Sequence, residues 1–205
     1  MAARTVTGLF DRYDDAAQAV RDLEAAGIPA RDISLVANNI DGSHKSIATT
    51  DAGAGAGTGA AVGGVAGGAA GVLAGLGMLA IPGVGPVVAA GWLVATAVGA
   101  LAGGTVGAAA GGIAGTFIAA GLDRDDANFY AEGIRRGGSV VTAKPDEKHL
   151  SAAEQILARR AVSTTERIKS YRDAGWSEFN PSAPAFTRTE IEAERRRYNT
   201  IRHNS

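Results

Sequence analysis

The chain has 205 residues and a formal net charge of −1, with 20 Lys and Arg against 21 Asp and Glu. This length suits one domain with an appendage, and the balanced charge gives no electrostatic basis for a nucleic acid partner. The absence of cysteine excludes disulfides and thiolate metal sites. The first residues lack the regions of a signal peptide, so we expect a cytoplasmic protein.

The first part of the chain, residues 1–38, predicts a strand, a helix and a second strand. The first strand is the β-branched and aromatic run Thr-Val-Thr-Gly-Leu-Phe, and the second is Ile-Ser-Leu-Val. Between them, Asp14 or Asp15 is expected to cap a helix with apolar residues three or four apart, which ends at Gly27. Residues 39–51 then form a polar linker.

Residues 52–122 contain no ionisable side chain, and they hold 22 of the 29 glycines. Glycine recurs at every fourth position on both sides of a centre rich in proline and glycine. On a helix this spacing makes a groove without side chains, so the segment predicts a hairpin of two closely packed helices, a glycine zipper. The predicted packing and oligomerisation residues are Gly59, Gly63, Gly67, Gly71, Gly75, Gly99, Gly103, Gly107, Gly111 and Gly115, and the predicted turn is Pro82, Gly83, Gly85 and Pro86.

Such helices need burial, because each interior glycine costs about 0.8–1 kcal/mol relative to alanine. A flexible linker is the alternative, but linkers are rich in serine and polar residues and lack this period. Burial in lipid is favoured here over a soluble assembly of several copies. However, residues 87–122 would span about 54 Å as one helix, against about 30 Å for the hydrocarbon core of a bilayer.

Residues 123–176 predict a second half of the sheet domain. Asp125 or Asp126 is expected to cap a helix that ends at Gly137, and the run Ser-Val-Val-Thr-Ala follows as a strand. Ser151 opens a capping-box helix.

A fourth strand is expected within residues 161–167, although its pattern is short. Residues 177–205 are a linker and a charged tail, in which residues 189–201 predict a helix that is solvated or peripheral.

No catalytic, cofactor-binding or metal-binding residue is predicted, and no small-molecule substrate is indicated. His44, His149 and His203 are scattered and lack the spacing of metal ligands. The paired aspartates precede helices, where capping explains them. Neither a phosphate-binding loop nor a nucleophile elbow is present in the sequence.

Three stretches carry a resemblance to a known family. They are the run from Leu9-Phe-Asp-Arg-Tyr-Asp-Asp to Gly27-Ile, the run from Asp125-Asp-Ala-Asn-Phe-Tyr to Gly138-Ser-Val-Val, and Ala174-Gly-Trp followed by Asn180-Pro. Together they resemble the bacterial general stress proteins, also described as heat-induced or low-temperature-induced stress proteins. The resemblance covers roughly residues 4 to 185, and it implies a role in stress response with no established enzymatic activity.

We therefore expect an α+β protein with a ferredoxin-like βαβ…βαβ domain, an inserted glycine-zipper helical hairpin and a charged helical tail. The expected function is that of a non-enzymatic stress protein whose partners are its own copies and the cytoplasmic membrane. One alternative is a soluble ring, cage or filament in which the hairpins form a shared apolar core. A second alternative, a ligand-sensing module, requires a polar pocket between the sheet and the helices.

Overall fold

The structure is a computed structural model that describes residues 4–40, 42, 77–81, 83–93 and 106–203. Its strands are β1 (Val6–Phe10), β2 (Ile33–Asn38), β3 (Gly77–Ile81), β4 (Gly85–Gly91) and β5 (Ser139–Ala143). Its helices are α1 (Tyr13–Ala25), α2 (Val106–Ala119), α3 (Arg124–Arg135), α4 (Leu150–Ala158), α5 (Thr164–Asp173) and α6 (Arg188–His203), with a 3₁₀ turn at Ala30–Asp32.

The described strands form one sheet in the order β1-β5-β2-β4-β3, and every neighbouring pair is antiparallel. Since β5 lies between β1 and β2, those two strands run parallel and are joined by α1. This is the split βαβ arrangement that the two halves of the sequence predict. The mixed α+β class is therefore confirmed.

The sheet is buried on both faces, and its side chains alternate between two cores. Leu9, Val36, Val87 and Val140 face the core that is covered by α2, α3, Tyr171 of α5 and Tyr198 of α6. Their neighbours in sequence, including Phe10, Leu35, Val88 and Val141, face the opposite core with α1 and α4. This period of two along each strand places helices on both sides of the sheet.

The centre of the apolar segment is a β-hairpin, so the prediction of helical arms is wrong for residues 77–91. β3 pairs with β4, and β4 pairs with β2 along five residues. The turn itself lies where the sequence places it, since the Val84 amide donates to the Ile81 carbonyl at 3.1 Å. Gly83 has φ +74°, a left-handed value that this tight turn requires. Glycine adopts this value without a steric clash because it has no Cβ.

Beyond the β-hairpin, the second arm is helical at Val106–Ala119, and its glycine row is interrupted there. α2 contains Gly107, Gly111 and Gly115, but Gly112 has φ 54° and ψ −136°, which are not helical values. The kink changes the direction of the chain between Gly111 and Gly115. Within the described helix, the glycine row is therefore not straight across Gly112.

The fourth strand of a ferredoxin-like fold does not form at residues 161–167, where the sequence predicts it. The chain does reach the free edge of β1, and the Val162 amide donates to the Leu9 carbonyl at 2.8 Å. It then turns into α5, because the Ser163 hydroxyl caps that helix by accepting from the Glu166 amide at 3.4 Å.

Three predicted helix starts are displaced by one to three residues. Asp123 caps α3, in place of Asp125 or Asp126, and its carboxylate accepts from the Asp126 amide at 2.9 Å. The cap positions of α1 and α4 are Arg12 and His149, and neither side chain caps its helix. The aspartates predicted to cap α1 and the serine predicted to open α4 lie inside those helices. The predicted stops at Gly27 and Gly137 are confirmed.

Candidate functional site

The predicted oligomerisation residues fall partly within the described residues. Gly107, Gly111 and Gly115 lie on α2, while Gly83, Gly85 and Pro86 lie in the β-hairpin. The remaining predicted residues lie outside the described ranges: Gly59, Gly63, Gly67, Gly71, Gly75, Pro82, Gly99 and Gly103. The facing of two glycine rows therefore stays a prediction.

The described end of the apolar segment is built into the domain. α2 packs on α3 through Phe117 and Tyr130, whose ring centroids lie 6.0 Å apart, and Phe117 is fully buried. The Thr5 hydroxyl donates to the Ala120 carbonyl at 3.1 Å, which fastens the end of α2 near the start of β1. Ile118 on the same helix is 44% exposed and is the one large apolar side chain that is exposed among the described residues.

The chain between α5 and α6 crosses over the turn of the β-hairpin. We call residues 176–187 the strap. A Cβ added at Gly83 would lie 2.8 Å from the Pro181 carbonyl oxygen, and one added at Gly85 would lie 3.2 Å from the Ala185 Cβ. At the kink of α2, the same construction at Gly112 gives 3.7 Å to the Pro181 Cβ. The strap thus contacts both parts of the apolar segment that the structure describes.

The strap is also fastened to α3. The Arg135 guanidinium donates to the Pro184 carbonyl at 3.1 Å and lies 4.8 Å from the centroid of the Phe186 ring. Phe179, at the other end of the strap, is 5% exposed and belongs to the same core as Val84.

The tail helix α6 docks on the domain, so its prediction as solvated or peripheral is wrong. Ile191 is 1% exposed and packs directly against Gly137, where no side chain intervenes. The Arg195 guanidinium donates to the Gly137 carbonyl at 3.1 Å, and Tyr198 is buried. The apolar spacing of Ile191 and Tyr198 in an otherwise charged helix is the sequence signal for this docking.

A buried group of charges joins α6 to α3. Glu132 is fully buried and accepts from Arg136 at 2.7 Å and from Arg135 at 3.3 Å. Arg136 also reaches Glu194 of α6 at 3.1 Å. Burial opposes the charge of the Arg136 guanidinium, but the two carboxylates outweigh it and raise its pKa above the ordinary value. The charged form is therefore the one that the site holds.

Tyrosines extend this group toward α5. The Arg136 guanidinium lies 4.5 Å from the centroid of the Tyr171 ring, and burial raises the pKa of Tyr171 to about 12. The Tyr198 hydroxyl donates to Glu194. The pKa of Tyr198 is raised as well, mainly by burial and then by its neighbours Tyr171 and Glu194. The Arg167 guanidinium lies 3.6 Å from the centroid of the Tyr198 ring, and one of its nitrogens lies 2.8 Å from an Asp11 carboxylate oxygen.

A polar cleft of about 220 Å³ lies where the start of α1, the start of α5 and α6 meet. Its lining includes Asp11, Asp15, Arg160 and Arg167. It does not lie between the sheet and the helices, where a ligand-sensing module requires its pocket, because no residue of the described strands lines it. In addition, Arg160 pairs with Asp15 at 3.0 Å and Arg167 pairs with Asp11, so both guanidinium groups already have partners within the chain. The cleft is accounted for by the contacts between the elements that it joins.

Metal chemistry and membrane crossing gain no support from the described residues. They contain no group of three His, Asp or Glu side chains placed to hold a metal ion. Within the same ranges, no helix combines the length and the apolar character needed to cross a bilayer. His149, the histidine nearest to a site-like arrangement, pairs with Asp146 at 2.6 Å on the surface.

The fold and the site define an α+β protein with an uncharged, glycine-rich insert, part of which forms two strands of the sheet. Residues 5–84 match the family described as the heat induced stress protein YflT domain, and that range runs from β1 to the turn of the β-hairpin. This part of the chain is therefore similar to that stress protein domain, which supports the resemblance to the bacterial general stress proteins. Comparison with curated proteins and with solved structures found no match.

Proposed function

We propose that this protein acts in the stress response without catalysis, by associating with copies of itself through the glycine-rich insert. The observation that carries the proposal is the 71-residue uncharged run between Asp51 and Asp123, whose described centre and end lie in the domain. The period-four glycines on both sides of that centre suit close contact between backbones. The match of residues 5–84 to a heat induced stress protein domain supports a role of such contacts in the stress response.

Membrane association belongs to the same proposal in a changed form. A two-pass anchor would carry the turn near Gly83 to the far side of the bilayer, but residues 77–91 are strands of the sheet. The glycine-rich stretches on either side of β3 and β4 would therefore contact the cytoplasmic face of the membrane, or other copies, from a domain that remains outside the lipid.

Leucine substitution in the glycine rows tests the proposal. Gly107→Leu and Gly67→Leu place a bulky side chain in a predicted groove, and we expect each to decrease the sedimentation coefficient of the assembled protein. Ala109→Leu is the matched control, because it adds the same side chain to α2 away from the period-four row.

Detergent-free fractionation of the lysate separates the two settings. Recovery with the membrane pellet would support lipid contact, whereas a discrete large particle in the supernatant would support the soluble assembly in its place. The zipper is wrong if Gly107→Leu and Gly67→Leu assemble and partition like the unmodified protein.

A further inference from the structure

The strap lies on the apolar insert at two places that are far apart in sequence. Pro181 is the neighbour of both Gly83 in the hairpin turn and Gly112 at the kink of α2. Beneath the turn, Val84 is fully buried. Removal of the strap would therefore uncover apolar surface at the centre of the insert and at its end.

The composition of the strap matches what it covers. From Phe179 to Thr187 the sequence is Phe-Asn-Pro-Ser-Ala-Pro-Ala-Phe-Thr, which carries no charge. Charged residues resume immediately on both sides, at Glu178 and Arg188. This uncharged stretch of the C-terminal region can therefore pack against the uncharged insert without burying an unpaired charge.

The strap is anchored by buried side chains on both sides of an exposed centre, which Arg135 holds through the Pro184 carbonyl. Phe179 and Ile191 are buried, whereas Ser182 and Pro184 are exposed. No helix or strand forms between α5 and α6. A segment with few buried contacts and no ladder of backbone hydrogen bonds opens at a lower free energy than the sheet beneath it.

We propose that the strap and α6 form a releasable cover on the apolar insert, and that self-association follows the opening of this cover. The inference rests on the proposed function, because it assigns the step that makes the insert available. While the cover is closed, only a fraction of the molecules can associate, and the apparent affinity of self-association is reduced by that fraction. Full opening removes this reduction.

A reversible disulfide tests the closed state. The chain has no cysteine, so Gly112→Cys with Pro181→Cys introduces a single pair, and the 3.7 Å between their Cβ positions suits a disulfide. We expect the oxidised protein to need at least about tenfold more protein for half-maximal assembly than the same protein after reduction. Any backbone strain at residue 112 is present in both states, so the reduced protein is its own control.

Two matched pairs of variants test the open state. Ala185→Glu places a charge against Gly85, while Ser182→Glu places the same charge on an exposed strap residue. Ile191→Asp removes the buried anchor of α6, while Ala193→Asp changes an exposed residue of that helix. We expect Ala185→Glu and Ile191→Asp to assemble at about a tenth of the protein concentration that their controls require.

The outcomes separate the cover from the proposed function. The cover is wrong if the cysteine pair does not oxidise, if both redox states assemble alike, or if the opened variants assemble at the concentration of their controls. In those cases the proposed function still stands when the unmodified protein assembles and Gly107→Leu does not. If neither the unmodified protein nor the opened variants assemble, the proposed function is wrong and the cover falls with it.

Discussion

Burial of phenol groups is the clearest residue-scale feature of the core that the tail helps to form. Tyr171 is 1% exposed, and its ring contacts those of Phe129 at 5.9 Å and Tyr198 at 6.3 Å. Burial raises the pKa of Tyr171 and also that of Tyr130, whose hydroxyl donates to the Thr7 carbonyl at 3.1 Å. In both cases the neutral phenol is the form that the folded protein accommodates.

The fold should accordingly lose stability at alkaline pH. The pKa of Tyr171 rises from 10.0 in the unfolded chain to about 12 in the folded protein, so the folded state keeps a proton that the unfolded state loses. The contribution is complete below pH 10 and is lost as the pH rises through about 12, at a cost of about 3 kcal/mol. Urea titrations across this window, followed by circular dichroism, measure the loss.

Tyr171→Phe supplies the control for this pH dependence. The variant keeps the buried ring but has no phenol to ionise, so the slope of unfolding free energy against pH should become shallower above pH 10. An identical slope in the variant and the unmodified protein would remove Tyr171 as the cause.

At the scale of elements, local patterns predict those parts of the fold that local physics decides. The β1–α1–β2 unit, the α3–β5 unit and the stops at Gly27 and Gly137 follow from alternation, helical spacing and glycine. Single cap residues were less well predicted, because neighbouring aspartates compete for one position. Asp123, Asp125 and Asp126 have the same chemistry, and only the backbone geometry selects Asp123.

The β-hairpin could not be predicted from its own residues. The hairpin consists of short apolar runs, which fit either a helix or a buried strand. The period-four glycines on both sides of it favour the helix. Pairing of β4 with β2 decides the outcome, and that contact joins residues about fifty positions apart. Gly83 lies in the turn of the β-hairpin, while Gly85 and Pro86 lie in β4, and a close bend needs glycine in either kind of hairpin.

Removing the cap of α3 should destabilise the protein by about 1 kcal/mol. In Asp123→Ala, the Asp126 amide loses the carboxylate that accepts its hydrogen bond at 2.9 Å. Asp125→Ala is the matched control, since Asp125 lies in the first turn without accepting the capping hydrogen bond, and its interaction with the helix dipole contributes about 0.3–1 kcal/mol. Urea unfolding with equal m-values would compare the two, and an equal loss in both variants would contradict the assignment of the cap.

At the scale of the whole molecule, the tail packs against the sheet domain and against the described parts of the insert. Sequence reasoning identified the insert and its turn, but it missed the strap and the docking of α6. The reason is physical, because the docking depends on a gap at Gly137 that accepts Ile191 and on a partner for Arg136, and both are supplied by tertiary structure. The mean character of the helix is charged, which is also typical of a solvated one.

The charge group that joins α3 to α6 should contribute more to stability than any exposed ion pair. Glu132 is fully buried between Arg135 and Arg136, so Glu132→Ala leaves buried positive charge without its nearest carboxylate. We expect a loss of about 3–5 kcal/mol in the free energy of unfolding, measured by urea denaturation. Glu154→Ala is the control, because the pair of Glu154 with Arg4 spans 3.7 Å between exposed side chains and should contribute less than about 1 kcal/mol.

Replacing both buried partners, as Glu132→Gln with Arg136→Met, should recover part of the loss, since no unpaired charge then remains at residue 136. A loss in Glu132→Ala no greater than that in Glu154→Ala would contradict a stabilising role of the charge group, and the anchoring of the tail would then rest on Ile191, Tyr198 and the hydrogen bond of Arg195 to Gly137.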